Sequence, residues 1–229
     1  RREMHRFASL FLACALFAAA PLAQAASTRV TVSGGANPWL AGMPDGSTAG
    51  LGDLAPGHSP AQVTGLSVTG GRIFFFTSTG QVAKGTGAPF FGPEGNTDHI
   101  VSRNPGAENG IADLTAPLIG LVGVFLDDNQ PSSFSPPSAL DFTSSAQRDF
   151  ASLSPQLRQP FYIGDGITSA GPTQFFIAPA GATRLFLGPM DAFQWSGNPG
   201  SFTVTVTALP EPSAACLLSL LLLGRKRFF

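Results

Sequence analysis

Cysteine is nearly missing from this chain. It occurs twice, as Cys14 and Cys216, close to the two ends, with none in the long stretch between. That excludes a disulfide framework and any thiol chemistry for the middle of the chain. Charge is scarce as well: Asp, Glu, Lys and Arg make up 12% of the residues, about half the usual share. Between residues 26 and 209, seven cations stand against twelve carboxylates, ten of them Asp, which leaves a net −5. No basic cluster occurs there, which argues against a nucleic-acid partner. Histidine in the same stretch is limited to His58 and His99. H-E-x-x-H, G-x-S-x-G, a P-loop and a strand-borne G-x-G-x-x-G are all missing. The acids are scattered through turn-like segments, so the residues read as non-catalytic. A carboxylate pair for glycoside hydrolysis stays open, because a sequence does not give their separation.

What is present is concentrated first at the ends. Arg1, Arg2 and Arg6 precede an almost wholly apolar segment, Phe7 to Ala20, and Ala23-Gln24-Ala25 is a small-x-small site. This pattern predicts a helical secretory signal peptide over residues 1–25. At the other end Pro210-Glu211-Pro212 leads into an apolar run, Ala214 to Gly224, and then into Arg225-Lys226-Arg227. Residues 210–229 resemble the PEP-CTERM sorting signal of bacteria that export proteins to an exopolysaccharide-rich envelope. The resemblance implies recognition and cutting by an exosortase-type enzyme. It also implies transient inner-membrane anchoring, and release to the cell surface or extracellular matrix. The 11 residues from Ala214 to Gly224 make about 17 Å of helix. That is short of the roughly 30 Å of a bilayer core, so the three cations are expected to snorkel to the cytoplasmic surface.

Residues 26–209 then form one domain of a size that needs no covalent staples. Gly, Pro and Phe are frequent (27, 20 and 20 residues), which favours short strands joined by turns. Strands are expected at 28–33, 62–68 and 73–79, the last two as a hairpin-like unit about Thr69-Gly70-Gly71-Arg72. Residues 34–62 read as a long loop, and residues 80–115 as irregular. Pro117 to Leu126 reads as one strand buried on both faces. A short helix is expected around Ser144 to Leu153. Further strands are expected near 161–163, 174–177, 183–187 and 201–208. In the last, Phe202, Val204 and Val206 share one face and the threonines the other. The fold class is therefore all-β, a β-sandwich, flanked by the signal helix and the short C-terminal hydrophobic helix.

Four segments resemble the small calcium-dependent galactose-binding lectins of bacteria, the LecA type. They are Val63-Thr64-Gly65-Leu66 with the hairpin after it, and Phe91-Gly92-Pro93-Glu94-Gly95-Asn96-Thr97-Asp98-His99. The others are Leu118-Ile119-Gly120-Leu121-Val122-Gly123 and the stretch from Asp191 to Phe202. The resemblance implies a galactose-binding-like jelly-roll sandwich. It also implies a calcium ion that holds two sugar hydroxyls, since hard cations take oxygen ligands. Carried over by position, Asp191, Asn198 and Gln194 are the metal ligands, with Asp191 also reaching the sugar. His99 contacts sugar, and Trp195 offers an aromatic face to it. Where the family has two adjacent asparagines, this chain has Gly197 and Asn198, one side-chain ligand fewer.

Simpler readings of the same residues stand beside these. The segment from Asp191 to Gly200 is also an ordinary polar turn before a strand. Asp127-Asp128-Asn129-Gln130 suits a second cation or a strand-ending turn, and Asp165 between two glycines suits a turn. Two functions follow: a lectin-like module for exopolysaccharide or galactoside-type glycans, or a non-catalytic structural protein of the envelope or biofilm matrix.

Overall fold

The computed structural model describes residues 24–210. Residues 1–23 of the expected signal peptide and all of the sorting tail after Pro210 lie outside the described residues, and with them Glu211, Pro212, Arg225, Lys226 and Arg227. No helix among the described residues is long and apolar enough to cross a membrane.

The chain begins with β1 (Ala26–Ser33), followed by a 3-10 turn at Pro38–Leu40 and the two-residue strands β2 (Thr48–Ala49), β3 (Asp53–Leu54) and β4 (Ala61–Gln62). The longest strand is β5 (Ile73–Ala83), after which come β6 (Phe90–Phe91), β7 (Asn96–Ser102), β8 (Leu114–Leu118) and β9 (Leu121–Leu126). Short elements follow: β10 (Leu140–Asp141), the one-turn helix α1 (Ser145–Arg148), β11 (Ser152–Leu153), β12 (Phe161–Tyr162) and β13 (Phe175–Ile177). The last two strands are β14 (Arg184–Pro189) and β15 (Gly200–Ala208). The all-β expectation therefore holds.

One sheet runs in the order β1-β15-β5-β13-β11, with β6 added to β5. A second runs β12-β9-β14-β4, and β10-β8-β7 makes a third. The first and last strands pair antiparallel without a shift, from Ala26 opposite Ala208 to Ser33 opposite Ser201. The period of two decides which side chains leave water. Phe202, Val204 and Val206 of β15 are fully buried. Phe74 and Phe76 of β5 and Phe176 of β13 join them on the inner face. There they meet aromatics of the second sheet. Phe74 lies 5.8 Å from Phe125, Phe161 lies 5.3 Å from Phe176, and Phe125 stacks on Phe161 at 5.2 Å. Each such side chain contributes about 1.5–3 kcal/mol by burial, so this aromatic layer is the main tie between the two sheets.

Four local expectations change. Pro117 to Leu126 is not one strand: the run folds at Ile119-Gly120, and its halves join different sheets. Ile119 sits at φ 67°, a conformation costly for a β-branched residue. It is held there by its N–H donating to the Met190 carbonyl at 2.6 Å, and by Met190 N–H donating to the Gly120 carbonyl at 2.7 Å. The 62–79 unit is not a hairpin either. β4 pairs with β14, and β5 pairs with β15, β13 and β6. The region read as irregular contains β7, whose pairing with β8 shifts between Asn96 and Ile100. The helix is one turn only, fixed by a capping box between Ser144 and Gln147. It ends as Phe150 turns to meet the Phe142 ring at 6.1 Å.

Candidate functional site

The loop before β15 brings Asp191 and Asn198 together. Asn198 Nδ2 donates to Asp191 Oδ2 at 2.9 Å, while Asp191 Oδ1 accepts from the N–H of Ala192 at 2.6 Å. Both residues are buried. Gln194 is exposed, with its amide directed to the Leu51 carbonyl at 3.4 Å. As placed, these three side chains do not fit a cation. Asp191 already accepts from donors on both oxygens, Asn198 presents N–H to it, and Gln194 points elsewhere. No group of three or more His, Cys, Asp or Glu side chains suited to a metal gathers among the described residues.

Trp195 does not offer a face to a sugar: its side chain is fully buried. The indole N–H donates to the Pro189 carbonyl at 2.7 Å, which turns the ring inward. It lies against Trp39 at 5.5 Å, and the Arg103 guanidinium sits 5.0 Å from the Trp39 ring and 5.3 Å from the Trp195 ring. Arg103 pairs with Glu108 and donates to the Asn104 carbonyl. Burial pulls its pKa below the ordinary value, while the charges of Glu108, Asp53 and Asp113 oppose that shift. Asp53 is fully buried beside it and accepts from the N–H groups of Trp195 at 2.8 Å and Ser196 at 3.0 Å, and from Asn37 Nδ2 at 3.1 Å. This cluster locks the 34–62 and 191–198 loops together. Within it, Arg103 Nε is buried without a hydrogen-bond partner among the described residues.

A different place has the character of a binding site. A cleft of about 380 Å³ opens between the Glu94 turn, β7, α1 and the loop after β12. Ile167 is the one purely apolar residue that lines it. Glu94 lies in the turn closed by Gly95 N–H on the Gly92 carbonyl. Its Oε1 accepts from the N–H of Asp165 at 2.9 Å. The close approach depends on Gly164, which has φ 62°; a Cβ there would fall 2.3 Å from Glu94 Oε1.

The Tyr162 hydroxyl lies 2.7 Å from Glu94 Oε2 and 3.0 Å from the Glu94 carbonyl oxygen. A phenol has one proton to donate, so both contacts are hydrogen bonds only when Oε2 carries a proton of its own. Burial, the largest influence, raises the Glu94 pKa, and the bonds from Asp165 N–H and Tyr162 lower it in part. Burial also pushes the Tyr162 phenol up, with the Glu94 charge adding to the shift.

The far wall is polar and fixed. Arg148 donates to the carbonyls of Phe142 at 2.7 Å and Thr143 at 2.8 Å, and Asp149 accepts from the Ser169 N–H at 2.7 Å and hydroxyl at 2.9 Å. Gln174 donates to the carbonyls of Arg148 and Phe150. The Thr168 hydroxyl oxygen is buried and has no hydrogen-bond partner among the described residues. The cleft therefore combines carboxyl, guanidinium, phenol and hydroxyl groups on positions held by backbone bonds.

His99 is exposed on β7, two residues beyond Thr97, which lines the cleft. It is remote in sequence from Asp191 and makes no hydrogen bond with it. Asp127 and Asp128 form a turn, with Asp127 accepting from Asn129 N–H and Asp128 from the Thr183 hydroxyl. Glu94, Tyr162 and Asp165 did not stand out from the residues as a group. The available signal was glutamate itself: residues 26–209 contain only Glu94 and Glu108, and both end in half-buried polar contacts. No protein-family model matches the chain, and no curated protein matches it.

Proposed function

We propose that this is an exported, non-catalytic polysaccharide-binding protein of the cell surface or extracellular matrix, and that its ligand site is the Glu94–Asp165 cleft. In this reading the body is a sandwich of the galactose-binding jelly-roll type, and the tail is anchored transiently and cut by an exosortase-type enzyme. The observation that carries the site is the cleft lining: fixed donors and acceptors around a cavity with a single apolar residue. Sugars present paired hydroxyls that both donate and accept, and a carboxyl–guanidinium–amide wall meets both needs. The ligand contacts are direct, because Asp191, Asn198 and Gln194 are occupied with protein partners.

Binding to the folded state raises stability by about 2.7 kcal/mol at a ligand concentration of 100 Kd. Thermal melts of the full chain with soluble galactosides and neutral oligosaccharides are expected to move upward. Asp149→Ala, which removes a wall group, is expected to abolish the shift. No shift with any sugar supports the second reading, a structural matrix protein. The internally satisfied Asp191–Asn198 loop favours that reading.

A further inference from the structure

The outer face of the first sheet is a lattice of hydroxyls. Across β1, β15 and β5, Thr31 stands opposite Thr203 and Thr203 opposite Thr79. In the next row Arg29 stands opposite Thr205 and Thr205 opposite Thr77. Rows repeat about every 6.8 Å along the strands, and columns lie about 4.8 Å apart. Thr31, Thr77 and Thr79 are exposed, and Thr203 and Thr205 are half-buried. None of these five threonines has a hydrogen-bond partner for its side chain among the described residues. At one end the threonines give way to an aromatic corner. Phe75 and Phe175 meet edge to face at 6.3 Å, and Phe175 remains 36% exposed.

Charge narrows the choice of partner. The six strands of this sheet contain no Asp or Glu, and Arg29 and nothing else charged stands among the threonines. The domain as a whole is acidic, with a net −5 over residues 26–209. Acidic polymers are therefore repelled by the body, and cationic ones are drawn to it away from this face. A neutral polymer meets no electrostatic obstacle at the sheet.

We propose that this face is a second binding surface, which takes neutral polysaccharide in extended, laterally packed form. Threonine hydroxyls bond the sugar hydroxyl edges, their methyl groups cover the ring carbons, and the Phe75–Phe175 corner takes an apolar ring face. The contact is broad and shallow, unlike the cleft, so it suits the surface of an insoluble polymer. It is separate from the cleft and stands or falls apart from it.

The test is co-sedimentation of the full chain with microcrystalline cellulose, chitin and insoluble β-1,3-glucan. The natural chain is expected to be retained by at least one of them. The triple variant Thr77→Val, Thr203→Val and Thr205→Val keeps the branched shape and the strand preference but removes three hydroxyls. It is expected to lose retention about tenfold or more, with unchanged thermal stability and unchanged binding of soluble sugar in the cleft. Phe175→Ala is expected to weaken retention in the same way. Retention by none of the three polymers overturns the proposal, as does full retention of both variants. A change of oligomeric state in the variants, in place of lost retention, also overturns it and assigns the face to a second copy of the chain.

Discussion

The side-chain amide of Asn198 donates to Asp191 Oδ2 at 2.9 Å inside the loop that leads into β15. Two residues that resemble calcium ligands by position are thus each other's partner. The loop is closed by a neutral amide where the lectin pattern places a cation. Replacing Asn198 by Ala leaves a buried carboxylate oxygen without its donor. The expected loss is about 1–3 kcal/mol in urea unfolding. The natural chain is expected to show the same unfolding midpoint with and without millimolar calcium. A calcium-dependent rise that Asp191→Ala removes would restore the cation.

The Arg103 guanidinium lies 5.0 Å from the Trp39 ring and 5.3 Å from the Trp195 ring, which are the two tryptophans of the chain. Tryptophan emission therefore reports this one cluster. Arg103→Leu removes the cation that faces Glu108, Asp53 and Asp113, and is expected to destabilise by about 3–5 kcal/mol. Arg103→Lys keeps the charge but loses the planar, five-donor guanidinium beside the two rings. It is expected to cost less and to red-shift the emission as water enters. An unchanged spectrum in both variants would contradict the arrangement.

Gly164 has φ 62°, and a Cβ there would fall 2.3 Å from Glu94 Oε1 and 2.8 Å from the Tyr162 oxygen. Gly164→Ala is expected to cost about 1–2 kcal/mol for the backbone alone, with more from the clash. Sugar binding in the cleft is expected to fall with it. Gly171→Ala is the control: its φ is also positive at 98°, with nothing within 4 Å of the added Cβ. It is expected to cost the backbone term and leave the cleft unchanged.

Glu94 also sets a pH dependence. Its folded pKa is raised above the ordinary 4.5, so the folded state holds the proton more tightly than the unfolded chain does. The stabilisation is complete below the ordinary value and drains away as pH rises through the raised one. Glu94→Gln imitates the protonated acid, with its carbonyl toward Asp165 N–H and its amide toward Tyr162. Melting temperatures of this variant are expected to lose the decline across that window. Asp141 acts in the opposite sense, since bonds from Thr143 lower its pKa. Its contribution is lost as pH falls through the lowered value, below the ordinary 3.8, so the two effects occupy different windows.

Much of the sheet was legible because alternation survives in it. Phe202, Val204 and Val206 announce an inner face in β15, and the structure buries all three. Pro117 to Leu126 carries no such mark. Both halves are buried on both sides, so the turn at Ile119-Gly120 breaks no pattern that a sequence displays. Trp195 reads as an aromatic face open to sugar because its neighbours are polar. Its indole N–H finds the Pro189 carbonyl and carries the ring inward. The cleft was the least legible part. Glu94 lies in a turn far in sequence from Tyr162 of β12 and from Asp165 just after it, and Asp165 between glycines reads as a turn by itself. Turns favour Asp over Glu, so the rarity of Glu was the usable clue.

The most direct test is to observe amide resonances of the labelled full chain as a soluble neutral oligosaccharide is added. The account predicts that shifts gather at Glu94, Thr97, Arg148, Tyr162, Asp165 and Thr168, with or without calcium. Shifts confined to Asp191 through Asn198 and dependent on calcium would contradict it, and so would a spectrum that no sugar moves.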